Sequence, residues 1–366
     1  VFVKQLNIVS FRNHERLSMD LEPKMYNIVG PNGTGKTNFL EAIYLSLTGR
    51  SFKTASLKEV ITFGEESAFV SATAVLDDFS HDMEITVKKD KRRFMRDHNP
   101  VKNTSAYGRG MGVVLFEPKH LQMVQGSPSQ RRGFIDDMLR MINPLYEEAY
   151  SGYYHILYQR NVTLRKFRDT NLLDVYDRSL ATYAAVLLKE RLKFLKRMTA
   201  SVADYYEAIA GEKERLEIRY KASFPVALDE NLDRAFYESL RHRRREDKER
   251  GRTGIGPHLD DLSFLLNGEE AKKFASTGQI RSIVLAMKCM EIDRVAEHIG
   301  SSPVVLLDDV LSELDDKRRR MLLDIIHGQC FITAAEPIGA LEGVSEAIDF
   351  MDIKRSAEAL RKEDLW

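Results

Sequence analysis

"MYNIVGPNGTGKTNFLEAIYLSLTG", Met25 to Gly49, is an apolar strand-like run that enters a glycine-rich turn and then, without a break, a helical pattern. Gly30, Gly35, Lys36 and Thr37 stand in the spacing G-x-x-x-x-G-K-[ST], and the flanking strand and helix are the context that this spacing requires. The glycines let the backbone curl so that its N–H groups converge on phosphates. Lys36 is placed to reach the β and γ phosphates, and Thr37 to offer a hydroxyl to Mg²⁺. A turn that merely capped a helix would have no need of Lys followed by Thr. The stretch predicts an α/β P-loop ATPase with ATP and Mg²⁺ as its ligands.

Toward the C-terminus, "VVLLDDVLSELD" (Val304 to Asp315) runs four apolar residues into Asp308 and Asp309. In company with the cradle, Asp308 is expected to hold the water shell of Mg²⁺ opposite Thr37, and Asp309 to orient the attacking water. An aspartate where related ATPases place glutamate draws the carboxylate back by about 1.5 Å. A misplacement near 1 Å can cost on the order of a hundredfold in rate, so slow hydrolysis is expected. A third element, "FASTGQIRS" (Phe274 to Ser282), starts a helix, and its free N–H groups and dipole suit an anion. Ser276 with Gln279 also reads as a plain capping box, which is compatible with that role.

Between these elements the pattern changes twice. Residues 1 to about 116 are strand-rich with one helix, 118 to about 249 show helical periodicity interrupted by "RLEIRYKASF", and strand and helix alternate again from Gly254. The expected organisation is residues 1–117 and 251–366 as the two parts of one ATPase lobe, with 118–250 as a helical second lobe. The charged end 354–366 reads as a short helix at most.

Lys+Arg 55 against Asp+Glu 55 gives a net charge of +0, so any nucleic-acid surface must be local. Two stretches qualify, "VKKDKRRFMRDHN" (Val87 to Asn99) and "RHRRREDKERGR" (Arg241 to Arg252), although a solvated hairpin or helix face explains either one as well. Cys289 and Cys330 lie in no metal spacing and read as small core residues of a reduced, cytoplasmic protein. The N-terminal residues show no signal-peptide pattern, and no apolar run is long enough to span a bilayer.

The conjunction of "GPNGTGKT", "FASTGQIRS" and "LLDDVLSELD" resembles the ATP-binding-cassette heads of the SMC and Rad50 class. With "SFRNH" (Ser10 to His14), "SPSQRRGFID" (Ser127 to Asp136) and "GPHLDDL" (Gly256 to Leu262) it resembles, within that class, the RecF family of recombination-repair proteins over essentially the whole chain. The resemblance implies that Gly30, Asn32, Gly33, Gly35, Lys36, Thr37 and Asn38 wrap the phosphates and that Arg12 and Asn13 approach the nucleotide. It implies that Ser276, Gly278 and Gln279 act on the γ-phosphate held by a second copy, and that the loop ending at Asp315 communicates across this ATP-induced homodimer. Gln125, with Gln122 behind it, is the candidate for the Q-loop. Sequence-independent binding to DNA gaps or junctions and cooperation with RecO and RecR are implied in the same way; Lys88, Lys89, Lys91, Arg92 and Arg93 of the first charged stretch, with Arg131 and Arg132, are the candidate DNA contacts. Thr277 stands where many members carry Gln, and "FITAAEP" offers no histidine switch. A nucleotide-gated scaffold, an ATPase of another DNA-maintenance system and a transporter subunit remain alternatives.

Overall fold

The alternation at the start of the chain builds β1 (Phe2–Phe11), with Val3, Leu6, Ile8 and Phe11 buried, and the chain returns as β2 (His14–Asp20). β3 (Met25–Val29) and α1 (Lys36–Thr48) carry the glycine turn between them. Antiparallel pairing then resumes through β4 (Ser67–Leu76), β5 (Phe79–Lys88), β6 (Arg92–Arg96) and β7 (Asn99–Val101), giving a six-stranded sheet in the order β2-β1-β4-β5-β6-β7. After α2 (Thr104–Tyr107) come β8 (Val113–Phe116), buried along its length, and α3 (Pro118–Leu121). This computed structural model describes residues 1–166, 170–211, 213–225, 231–337 and 345–350, so the charged end 354–366 lies outside the described residues.

The helical periodicity of the middle becomes α4 (Pro128–Ile142), α5 (Pro144–Lys166), α6 (Thr170–Ala210) and α7 (Leu232–Arg250). The interruption is β9 (Leu216–Lys221), which pairs with β10 (Asp261–Leu266); β10 pairs in turn with β11 (Glu269–Glu270), making a three-stranded sheet. α8 (Ala271–Phe274) and the long α9 (Thr277–Ile299) follow.

The last part supplies β12 (Val304–Asp308), α10 (Asp316–Ile325), β13 (Cys330–Ala334) and β14 (Glu346–Asp349). Here strands from both chain ends meet in one parallel sheet, ordered β14-β3-β13-β12-β8. Strands covered on both faces read as unbroken apolar runs, which explains "VVLLD" and "CFITA". α1 adds Phe39, Leu40, Ile43 and Leu47 to this core, with Phe39 edge-on to Phe331 and Phe350. In open α/β sheets, ligand sites form beyond the carboxyl ends of the parallel strands, which is where the glycine turn and both aspartates stand.

The chain divides into two compact units, one made of Val1–Leu121 with the part from Met287 onward, the other of Gln122–Ala286. The second boundary therefore falls inside α9 rather than near residue 250. Periodicity located the end of the helices but not the partner of β10, which pairs with β9 and so stays with the helical unit. The expected assignment of Ser276, Gly278 and Gln279 to the ATPase lobe is corrected accordingly. Among the described residues no helix is long and apolar enough to cross a membrane.

Candidate nucleotide-binding and hydrolysis site

One cavity in the first unit is lined by Asn32, Gly33, Gly35, Lys36, Thr37, Asn38, Lys53, Asp308, Asp309 and Thr333. Its floor is the turn after β3. Gly35 has φ 112°, and a side chain there would meet Asn13 at 2.6 Å and His14 at 2.9 Å, so only glycine fits. The Lys36 ammonium is nearly buried and donates to the carbonyls of Gly30 at 2.5 Å and Pro31 at 3.0 Å. Burial lowers its pKa, and Asp309 and Asp308 act against that lowering.

Thr37 at the start of α1 donates its hydroxyl to Asp308 Oδ1 at 2.8 Å, tying the first motif to the second across 271 positions. Asp309 has φ 54°, a left-handed backbone for a non-glycine residue. Its amide is held by the Thr333 hydroxyl at 3.1 Å and the Thr333 carbonyl at 3.3 Å. A glycine turn, a held ammonium, a hydroxyl and a strand-end carboxylate make a set of groups that fits a triphosphate with a hard divalent cation.

Lys53 and Thr333 escaped the sequence reading. Lys53 donates to Asn38 Oδ1 at 2.7 Å, and burial lowers its pKa against the carboxylates of Glu41, Asp308 and Glu117. The Ser51 hydroxyl, itself bound to the buried Glu41, accepts from the Lys53 and Thr54 amides. A lone polar residue in the buried run "CFITA" was the available signal for Thr333; for Lys53 there was none.

Arg12 and Asn13, expected to approach the nucleotide, stand against the glycine loop and are not among the residues that line the cavity. The Arg12 guanidinium forks onto Glu41 at 2.7 and 2.9 Å, a bidentate pair that commits it to α1. Asn13 donates to the Thr34 carbonyl at 3.1 Å and accepts from Asn38 at 2.8 Å. The opening turn thus braces the glycine loop from behind. Gly30 likewise contributes its carbonyl to Lys36 rather than lining the cavity. Asp315 caps α10 through the Arg318 amide at 2.9 Å and pairs with the Arg318 side chain, so it lines nothing here.

Ser276, Gly278, Gln279 and Gln125 belong to the second unit. Ser276 and Gln279 form the reciprocal capping box, with Ser276 N–H to Gln279 Oε1 at 2.7 Å and Gln279 N–H to Ser276 Oγ at 3.2 Å. The Gln279 amide also donates to Glu214 at 2.7 Å. Gly278 lies in the first turn of α9. Gln125 and Gln122 are exposed residues of this unit, and neither is among the residues that line the cavity.

Among the proposed DNA contacts, Lys88, Lys89, Lys91, Arg92 and Arg93 are all exposed on the β5–β6 hairpin, with no acidic partner among the described residues. Arg131 is a correction. It is 4% exposed, forks onto Asp261 at 2.7 and 2.9 Å and donates to three carbonyls of residues 123–126, so it ties α4 to β10 and is unavailable to phosphate. Arg132 is half-buried and donates to the Asp260 carbonyl at 2.6 Å. The run Arg241 to Arg252 is also largely neutralised, with Arg244 on Asp174 and Asp177, Arg243 and Arg250 on Glu246, and Arg245 on Glu249. "GPHLDDL" is a buried brace as well: His258 Nδ1 meets the Tyr153 hydroxyl at 2.6 Å, and burial pushes the imidazole pKa down to about 4.

Residues 2–348 match the model of the RecF/RecN/SMC N-terminal domain family. The DNA replication and repair protein RecF of Streptococcus equi subsp. zooepidemicus is 37% identical over 340 residues, covering 91% of each chain. That of Streptococcus pneumoniae serotype 4 is 35% identical over 98% of this chain and 99% of its own. A solved structure of the recombination mediator protein RecF-ATPrS in the RecFOR pathway superposes with a TM-score of 0.87 at 29% identity, over 95% of this chain and 96% of the other. The Smc head domain of Pyrococcus furiosus, at 12% identity and a TM-score of 0.52, shares the fold. A cavity built from both chain ends, a helical unit of modest length and near full-length similarity at this level agree: the chain belongs to the RecF family, within the RecF/RecN/SMC ATPases.

Proposed function

We propose that this chain is a slow, DNA-stimulated ATPase of replication and recombinational repair that uses ATP to join two copies on DNA. The observation that carries this reading is the convergence of Lys36, Thr37, Asp308 and Asp309 in one cavity at the carboxyl ends of the parallel strands. Lys36 and the loop amides would hold the phosphates, Thr37 and Asp308 would hold Mg²⁺, and Asp309 would orient water. Mg²⁺, when bound, supplies neutralisation of the charge that develops on the phosphates. Ser276, Gly278 and Gln279 would complete the site of a second copy. Such differential binding is the only way in which ATP can favour closure. RecF relatives in the RecFOR pathway support recombinase loading with RecO and RecR as the role.

Size-exclusion chromatography with light scattering tests this directly. Wild type with ATP should give dimers, whereas wild type with ADP and Ser276→Arg with ATP should stay monomeric. Dimers of Ser276→Arg, or a wild type indifferent to ATP, would overturn the reading.

DNA binding is assigned to the hairpin. Lys88→Glu/Lys91→Glu/Arg93→Glu should weaken gapped-DNA binding about tenfold to a hundredfold and lower the slope of log affinity against log salt by roughly three, one per lost phosphate contact. An unchanged slope in a fluorescence-anisotropy titration would place the DNA elsewhere.

A further inference from the structure

We propose that Thr333 is a positioning residue that couples Asp308 to Asp309 through a single hydroxyl. It stands in β13, between the strand that carries the glycine turn and the strand that ends in the aspartates, directly opposite Asp308 in the parallel register. The rest of β13 is apolar and buried, and Thr333 is 1% exposed. A hydroxyl sunk in such a strand is costly unless it is hydrogen-bonded, and this one is used in both directions. Its proton goes to Asp308 Oδ1 at 2.9 Å and its lone pair accepts from the Asp309 amide at 3.1 Å.

Two consequences follow from those bonds. Asp308 Oδ1 meets two hydroxyls, Thr37 at 2.8 Å and Thr333 at 2.9 Å, whereas Oδ2 takes no hydrogen bond among the described residues. The carboxylate is therefore fixed with Oδ2 left for the hydrated cation, and it stays fixed when the Thr37 hydroxyl turns its lone pair toward that cation. Asp309, for its part, is held in a left-handed backbone that a non-glycine residue keeps only when its surroundings impose it. The hydroxyl of Thr333 is one of the groups that hold it, beside the Thr333 carbonyl on the same amide and the Ser312 hydroxyl on the Asp309 carbonyl at 2.9 Å, and through the backbone it helps to set where the shortened carboxylate points. No histidine follows this strand in the sequence, and Thr333 lines the cavity from the same strand.

The inference rests on the reading of the cavity as an ATP-hydrolysing site, and the experiment separates the two. Thr333→Val keeps the shape and removes both hydrogen bonds, and Thr333→Ser keeps them. Full-length wild type and both variants are compared for phosphate release at saturating ATP, affinity for ATPγS across a Mg²⁺ titration, and thermal midpoint. Thr333→Val should turn over about 10- to 100-fold more slowly and need about three- to tenfold more Mg²⁺ for half-maximal nucleotide retention. Its Mg²⁺-free affinity should stay within about threefold of wild type, and Thr333→Ser should restore both readouts. A Thr333→Val protein matching wild type in both turnover and Mg²⁺ requirement overturns the assignment. So does a Thr333→Ser protein as impaired as Thr333→Val, which would make the methyl group's packing the cause. If wild type releases no phosphate, the hydrolytic reading falls, and the Mg²⁺ titration alone still decides the role of Thr333.

Discussion

Lys36→Ala should lower ATP turnover by about 10²- to 10³-fold and abolish retention of nucleotide on a desalting column, while leaving the thermal midpoint unchanged or slightly raised. The ammonium is held over the glycine turn by two carbonyls, Gly30 and Pro31, and a cation whose position is fixed by the fold needs little reorganisation at the moment of reaction. Its removal takes the one cation of the turn from the phosphate position. Stability should not suffer, because burial already lowers the pKa of this group, which is to say that the fold disfavours its charge. Circular dichroism melts together with phosphate release distinguish this outcome from misfolding. A variant that turns over within tenfold of wild type would remove Lys36 from the chemistry.

How much of this was legible in the sequence depended on whether a feature is local. The glycine turn declares itself because "MYNIV" before it and "NFLEAIYLSL" after it fix strand, loop and helix within 25 consecutive residues. "VVLLD" is legible because strands of a doubly covered parallel sheet have no polar face to confuse the pattern. Thr333 and Lys53 were not, since their importance arises from partners in other strands and loops that only the register of β12 on β13, or the Ser51 turn, brings near. Arg131 failed for the mirror-image reason. Its acidic partner Asp261 is 130 positions away, and a count of local charge sees the cation without the carboxylate. The run from Arg241 to Arg252 shows both cases at once, with i,i+3 and i,i+4 acids that were visible and Asp174 and Asp177 that were not.

Arg160→Met should cost about 3–5 kcal/mol of unfolding free energy at neutral pH, a large loss for a single substitution. Arg160 is 0% exposed and joins three helices: it donates from α5 to Asp177 of α6 at 2.6 Å, and to Asp247 of α7 and to Thr253 at 2.8 Å each. A methionine restores the packing but leaves two buried carboxylates facing each other's charge with fewer donors. Asp177 retains Arg244 at 2.6 Å, and Asp247 retains the Gly254 amide at 3.0 Å and the nearby charge of Arg243. Burial already raises the Asp247 pKa in the wild type, with Arg160 pulling it down. A carboxyl whose folded-state pKa is raised favours the folded state at low pH and loses that contribution as pH rises through the folded value. Without Arg160 the folded value rises further, so the deficit of the variant relative to wild type should narrow as the pH is lowered from neutrality and Asp247 takes up a proton. Urea titrations of both proteins at several pH values measure it. A deficit below about 1 kcal/mol, or one that does not change with pH, would mean that water reaches this network and that the helices are held by their apolar contacts alone.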